Sequence, residues 1–402
     1  PLRIQLADDP LVAFLRRRTP DSEFIARIGA AVSANPSVEE TRFLVEEAEA
    51  ARREARSALF PTLDLALSSR TSLARDFSDD PDNIVERSRA RGRTDATFVV
   101  NQRLLDFGTA SMRVDAAGYR LRAAMFERER QSDSIALRAI ATWYDVFTYR
   151  ALVEVGEARL ASQFELRDAI ETRIAEGVSA RGDIARIDSE LASSAAQLAG
   201  FERQLANAEA RYTELFEQPA PEPIARAPLV AEPYATREAV EAAALGIPAV
   251  QLTQAQAYAA RQDARASRAE TLPSVNGRIE GGRFGIFEND NDYDIRASIV
   301  LEQRFFGGGD ARADQAEARA GQSRARADAV REEALRLASI AWSDVEALET
   351  QLAAVEASYL SSRQSRDVIF ERFRLVRGTL FDVLAAQRDF YDIAVLYIQT
   401  VT

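Results

Sequence analysis

Two carboxylates stand where their charge could act. Asp183 and Asp382 each open a helical stretch directly after a short turn. There a carboxylate can cap the free N–H groups of the first turn and meet the positive end of the helix dipole. If several chains repeat about an axis, the same position becomes a ring of negative charge. The turn glycines Gly177, Gly182 and Gly378 are expected to supply positive φ. Other candidates fail on spacing. Asp290, Asp292 and Asp294 alternate in the run Glu288–Asp294, and Asp79, Asp80 and Asp82 lie in another loop. Neither has the sixth-position glycine or closing glutamate of a calcium-binding EF-hand, so both read as solvated loops. Gly307–Gly309 lacks the phosphate-binding GxxxxGK[ST] pattern.

The 402 residues contain no histidine and no cysteine. The commonest general base, the commonest metal ligand and every thiol are therefore absent. No catalytic residue set, metal site or cofactor is expected. A net charge of −12 argues against nucleic acid as a partner. No apolar run approaches the roughly 18–20 residues of a spanning helix.

The elements that hold the two aspartates are helical. After the turn RIAEGVSARGD at 173–183, apolar positions fall at Ile184, Ile187, Leu191, Ser194, Leu198, Phe201, Leu205, Ala208, Tyr212 and Leu215. Steps of three and four alternate, so this helix lies against a partner along a heptad stripe. The short loop makes that partner the preceding helix. The device returns 199 residues later: Arg372 answers Arg173, Asp382 answers Asp183 and Trp342 answers Trp143. Val383, Ala386, Phe390, Ile393 and Tyr397 repeat the seam, which argues for two copies of one unit. Both tryptophans are expected in the core.

The first copy is residues 1–217, where 1–20 are uninformative. A helix at 38–60, capped by Ser37 with Pro36 just outside, leads into a β-hairpin at 62–105. A helix at 109–176 follows, with the tip turn at 177–183 and a return helix at 184–217. At about 1.5 Å per residue the long helix extends on the order of 100 Å, more than a compact domain needs. Residues 218–246 are a Pro-rich strap that breaks every period. The second copy, 247–402, has a helix to about Thr271, strands at 274–281 and 294–305, a helix at 310–375, a turn at 376–382 and a return helix at 383–402. That last helix is roughly 15 residues shorter than its counterpart, so the natural chain is expected to continue past Thr402.

Four alternating strands cannot close a barrel in lipid, and an open edge cannot remain there. Three chains would give twelve strands and twelve helical columns. At this point the residues resemble the TolC family of trimeric outer-membrane efflux and secretion channels. The likeness rests on Ala55–Pro61 leading into a strand, on the joints Gln102–Gly108 and Gln303–Gly309, and on the tip turns Gly182-Asp183-Ile184 and Gly378–Leu384. It covers roughly residues 22–402.

The resemblance implies a mainly α, α+β membrane protein: a 12-stranded outer-membrane barrel, four strands per chain, continuous with a long periplasmic α-helical barrel. It implies an outer-membrane exit duct for type I secretion or multidrug efflux, held as a homotrimer in outer-membrane lipid. The partners would be a periplasmic adaptor protein and an inner-membrane ABC or proton-driven transporter. The tips would close the periplasmic entrance, with Asp382 lining it and Asp183 beside it, and Gly177, Val178, Gly182, Gly378, Thr379 and Leu380 would shape the adaptor-docking surface. The chain departs from the family in carrying Ala385 for a second aspartate, and Phe373 and Gly378 for two residues that help hold the entrance shut. Arg377 or Arg181 could take over that role. The alternative is a soluble periplasmic coiled-coil scaffold or adaptor, which would need no lipid-facing strands.

Overall fold

The computed structural model describes all residues except 1–8, 77–83, 85–89, 229–233, 289–291 and 376–377. Its elements are α1 (Pro10–Arg16), α2 (Asp21–Ala34), α3 (Pro36–Ser57), β1 (Thr62–Thr71), β2 (Gly92–Leu105), α4 (Thr109–Ala175), α5 (Gly182–Phe216), α6 (Arg237–Ala244), α7 (Pro248–Ala269), β3 (Ser274–Phe284), β4 (Tyr293–Glu302), α8 (Gly309–Arg374) and α9 (Leu380–Val401). One succession of elements, helix, two strands, long helix, helix, occurs from α3 to α5 and again from α7 to α9. The chain divides into a helical unit (1–40, 129–245 and 334–402) and a sheet-bearing unit (41–128 and 246–333).

In the sheet-bearing unit the strands are antiparallel in the order β1-β2-β3-β4. Leu65 lies opposite Phe98, Phe98 opposite Gly281 and Gly281 opposite Ile295. Residues directly opposite share a face. One face therefore carries Leu63, Leu65 and Leu67, then Phe98 and Val100, then Val275 and Ile279, then Ile295, Ile299 and Leu301. The other carries Asp64, Ser68, Asn101, Arg278, Glu280 and Arg296. On the apolar face Leu65 and Leu67 are 75% and 73% exposed, and Ile299 is 74% exposed. Burial puts large apolar side chains inside a water-soluble fold, and here it does not.

The strands differ from expectation at their ends. β2 starts at Gly92 because Gly92, Arg93 and Thr94 pair with Thr71, Arg70 and Ser69, although they show no apolar alternation. β3 reaches Phe284, and β4 stops at Glu302 before Gln303–Phe305.

The joints explain a motif. The Gln102 amide donates to the Leu59 carbonyl at 3.4 Å, and the Gln303 amide to the Thr271 carbonyl at 3.0 Å. Each glutamine thus ties a strand end to the residue two before a proline, Pro61 or Pro273. Between β2 and α4 the chain reverses through Phe107 and Gly108, both at positive φ, and Asp106 accepts from the Gly108 and Ala110 amides. A Cβ at Gly108 (φ 86°) would be strained.

Helix α3 starts at Pro36, not Val38. The Asn35 side chain, rather than Ser37, accepts at its N-terminus, from the Ser37 amide. Proline suits this place because its missing N–H would have had no partner.

In the helical unit the seam of α5 is buried or half-buried at every expected position. Arg167 pairs with Asp188, Arg159 with Gln197, Arg150 with Glu209 and Asp145 with Arg211. Partners on α4 descend as those on α5 rise, so the pair is antiparallel. Leu198 packs on Gly156, where a Cβ would come within 3.1 Å.

Residues 9–35, read as uninformative up to residue 20, complete this core. Val12, Leu15 and Phe24 join Trp143, Phe147, Tyr212, Tyr359 and Tyr397 in one cluster. The expected strap does not stay irregular: it contains α6, its residue Arg226 bridges to Arg18, and Ala225 accepts from the Trp143 indole at 2.9 Å. Trp342 is only half-buried and stands outside that cluster, contrary to expectation.

Asp9 fastens the N-terminal segment. It is 1% exposed, caps α1 through the Val12 amide, accepts from the Tyr359 hydroxyl and pairs with Arg363. Burial pushes the Tyr359 hydroxyl up, with Asp9 adding to the effect, so it remains a donor. Removing one partner of a buried pair leaves the other charge without compensation. Asp9→Ala is expected to cost the helical unit about 3 kcal/mol, read as a lower urea midpoint by circular dichroism; an unchanged midpoint would show that Asp9 does not hold the segment.

Candidate functional site: the paired hairpin tips

The tip of the α4–α5 hairpin is built by backbone rules. The Gly177 amide donates to the Ile174 carbonyl at 3.0 Å and the Val178 amide to the Arg173 carbonyl at 2.9 Å. With Gly177 at φ 76°, this is a Schellman stop. Gly182 does not have positive φ, contrary to expectation, and the residue before Gly378 lies outside the described residues. Gly182 is the first residue of α5, and a Cβ on Gly378 would find ordinary space 3.6 Å from the Phe373 amide.

Neither aspartate is an N-cap. Helix α5 has Arg181 at that position, with no side-chain cap bond, and Asp183 lies in its first turn. Helix α9 begins after Thr379, whose hydroxyl oxygen accepts from the Asp382 amide at 3.2 Å. The Asp382 carboxylate accepts in return from the Thr379 hydroxyl at 2.7 Å and from the Thr379 amide at 3.3 Å. This is a capping box with aspartate in the place usual for glutamate or glutamine. The Thr379 hydroxyl bond, then its amide bond, with Arg372 nearby, hold the Asp382 carboxyl below its usual range.

The two tips share one apolar cluster. Leu166 and Ile170 of α4, Ile187 and Leu191 of α5, Phe373 of α8, and Leu380, Val383 and Leu384 of α9 meet in it. Phe373 and Leu380, read as entrance and docking residues, are 1% and 6% exposed. Their side chains therefore pack inside each chain's tip. Leu380's neighbour Phe381 is 68% exposed and Val178 is 45% exposed, so these two present apolar surface. Arg181 is exposed, and Arg377 lies outside the described residues.

Arg173 links the tips. Its Nη1 donates to the Phe373 carbonyl at 2.7 Å, its guanidinium lies 4.2 Å from the Phe373 ring centroid, and its Nε donates to the Ser179 hydroxyl. One side chain thus joins α4, the first turn and α8. Sequence reading could use Arg173 only as a landmark, because its main partner is 200 residues away.

Along α9, Asp382, Asp389 and Asp392 share an open trough of about 550 Å³ with Ser362 and Ser365 of α8. Ala385 sits in that trough, so the acidity missing there resumes one turn further on. Asp389 and Asp392 follow Asp382 by seven and ten residues, a helical spacing that could have revealed the row. The acidic loop read as solvated is tied where it is described: Glu288 accepts from Thr94, and Asp294 pairs with Arg296. Asp79, Asp80, Asp82 and Asp290 lie outside the described residues.

Residues 28–216 match the family model of outer membrane efflux proteins. A curated relative, the outer membrane efflux protein BepC of Brucella suis, is 24% identical over 77% of this chain and 71% of its own length. Among solved structures, the outer membrane protein VceC of Vibrio cholerae superposes with a TM-score of 0.83 at 20% identity, covering 94% of this chain and 92% of that one. The Neisseria gonorrhoeae MtrE outer membrane channel, solved in an open state, gives 0.76 at 19% identity, with 94% and 85% covered. The mainly helical fold with one four-stranded antiparallel sheet is therefore that of the outer-membrane channels.

Two outcomes test the tip. Arg173→Ala is expected to speed amide exchange at least severalfold in residues 174–184 and 378–384; exchange equal to the parent's would remove Arg173 as the link. The folded carboxyl of Asp382 lies below its unfolded value, so the box contributes fully above about pH 4 and is lost as pH falls through the folded value. The Asp382 carboxyl carbon should accordingly titrate below pH 3.8 in NMR, and Thr379→Val, which removes the hydroxyl but not the amide or Arg372, should raise it part of the way back.

Proposed function

We propose that this outer-membrane chain, recognisable across residues 28–216 as an outer membrane efflux protein, is the passive exit duct of a tripartite export system. One observation carries the reading: a sheet with an exposed apolar face, a polar opposite face and two unpaired edges, β1 and β4. Its strands are 10 to 14 residues long, and a strand tilted through a bilayer needs about 9–11. Three chains joined edge to edge make a 12-stranded barrel with lipid outside and a wet lumen inside. A scaffold or adaptor in water has no use for the leucines of β1.

In this reading the repeats, 1–217 and 247–402, each give one hairpin to the barrel and one to a periplasmic helical tube, with 218–246 as the strap. The tips form the entrance. Asp382, with Asp389 and Asp392 above it, gives the mouth a negative lining, and Asp183 and Arg181 stand at its other hairpin. Val178, Phe381, Thr379 and the turns around Gly177, Gly182 and Gly378 face a periplasmic adaptor. Phe373 and Leu380 support that surface from within. An inner-membrane ABC or proton-driven transporter supplies the work; the duct supplies none. The absence of histidine and cysteine, and the channel identity of its relatives, support a conduit without chemistry.

Purified protein added to planar bilayers is expected to form cation-preferring channels, and native mass spectrometry to give three times 44.4 kDa. Asp382→Ala should raise conductance and weaken the cation preference. A soluble monomer with no channel activity would sink the duct, whereas unchanged traces in Asp382→Ala would remove only Asp382 from the entrance.

A further inference from the structure

Within the sheet-bearing unit the helices stand in the same order as the strands. A Cβ on Gly118 of α4 would lie 3.8 Å from Arg52 of α3. The Tyr119 ring of α4 lies 5.3 Å from that of Tyr258 on α7, and Arg268 of α7 pairs with Asp314 of α8. The outer helices are therefore α3, which leads into edge strand β1, and α8, which leaves edge strand β4. Each turns one stripe to its own chain: Thr41, Val45 and Ala48 on α3, and Ala313, Ala316 and Ala320 on α8, are buried or half-buried.

The opposite stripes are exposed and differ in relief. On α3, Phe43 is 53% exposed even with the Arg42 guanidinium 4.4 Å from its ring centroid, and Leu44 is 41% exposed. On α8 the stripe is Ala318, Gly321 and Ala325, and a Cβ on Gly321 would meet nothing within 4 Å.

The stripes also differ in charge. Glu46 and Glu47 flank the α3 stripe on either side, and Arg319 and Arg324 flank that of α8. Nearer the sheet the signs reverse, with Arg53 and Arg56 on α3 and Asp310 and Asp314 on α8. Counted down from the sheet, Glu46 and Glu47 stand about 15–17 Å along α3, and Arg319 and Arg324 about 15–22 Å along α8. Arg53 and Arg56 stand about 2–6 Å along α3, and Asp310 and Asp314 about 2–8 Å along α8. Glu46 has Arg42 as an in-chain partner, Arg324 has Asp328 and Asp314 has Arg268. All three are surface pairs, which hold their members weakly.

We propose that this face of α3 docks on α8 of a second copy of the chain. The two helices run antiparallel, with Phe43 and Leu44 set over Gly321 and opposite charges paired at both levels. This docking rests on the edge-to-edge joining of β1 and β4, which brings the two helices side by side. The sign change along each helix fits one register, since a slip of about 10 Å in either direction opposes like charges. The seam thereby selects a second copy of this chain over a chain whose charges are arranged otherwise.

Native mass spectrometry of the full chain extracted in detergent tests the seam. Parent chains are expected as trimers. Glu46→Arg with Glu47→Arg, or Arg319→Glu with Arg324→Glu, should each lower the trimer-to-monomer ratio at least tenfold while circular dichroism keeps its helical signal. All four substitutions in one chain restore attraction and should return the ratio to within twofold of the parent's. Co-expressed with the parent, that fourfold variant should form its own trimers and no mixed ones. Parent chains that never associate would sink the edge-to-edge reading itself. Double variants with the parent's ratio, a fourfold variant no better than the doubles, or free mixing with the parent would overturn the seam and leave the duct standing.

Discussion

A β-sheet in hydrocarbon has to satisfy every backbone N–H and C=O from within the protein, because each unpaired group costs several kcal/mol there. This chain has a sheet dressed for hydrocarbon on one face and unpaired along β1 and β4. The apolar face passes without a break from Leu65 through Phe98 and Gly281 to Ile295, so it is a property of the four strands together. Lipid on that face and open edges are incompatible in a single chain. Much of the remaining architecture becomes intelligible as the means of bringing further edges to meet them.

The joints between sheet and helices are where that requirement becomes local chemistry. A strand that ends at a membrane surface and continues as a helix has to reverse abruptly. Phe107 and Phe306 both take positive φ, an uncommon conformation for an aromatic residue. Gln102 and Gln303 hold the strand ends to the loops before Pro61 and Pro273. The same strain and the same tether occur at both joints, and they make the motif Gln-Arg-x-x a statement about backbone geometry.

What was legible in the sequence follows from the range of the interaction responsible. The α5 seam from Ile184 to Leu215 is periodic, and it is buried as its spacing requires. The strands of alternating leucines were visible for the same reason. The start of α9 at Leu380 is not legible because Thr379–Asp382 is a capping box with an unusual acid, and the seam alone begins the helix at Val383. Helices α1 and α2 escaped because α1 is seven residues long and its anchor is Asp9 on Tyr359 and Arg363, some 350 residues away. Arg173 escaped on the same ground. Trp342 shows the converse limit: it occupies Trp143's place in sequence but only Trp143 has the indole bond to Ala225 and the enclosing Phe24.

At the tips the buried and the exposed contacts differ in what each can hold together. Asp382, Arg181 and the trough aspartates lie in water, where a surface ion pair contributes about 0–1 kcal/mol. The cluster of Phe373, Leu380, Ile187 and their neighbours is dry, and each fully buried side chain of this kind contributes on the order of 1.5–3 kcal/mol. That cluster belongs to both hairpins of one chain, and Arg173 pins them together through the Phe373 carbonyl. Parting the two tips within a chain would expose it, at a cost that exchange of surface charges cannot offset. If such chains assemble about their tips as proposed, the compliant contacts are those between neighbours, and an opening would move each pair of tips as one body. The free energy for that movement has to come from whatever binds the open arrangement better than the closed one.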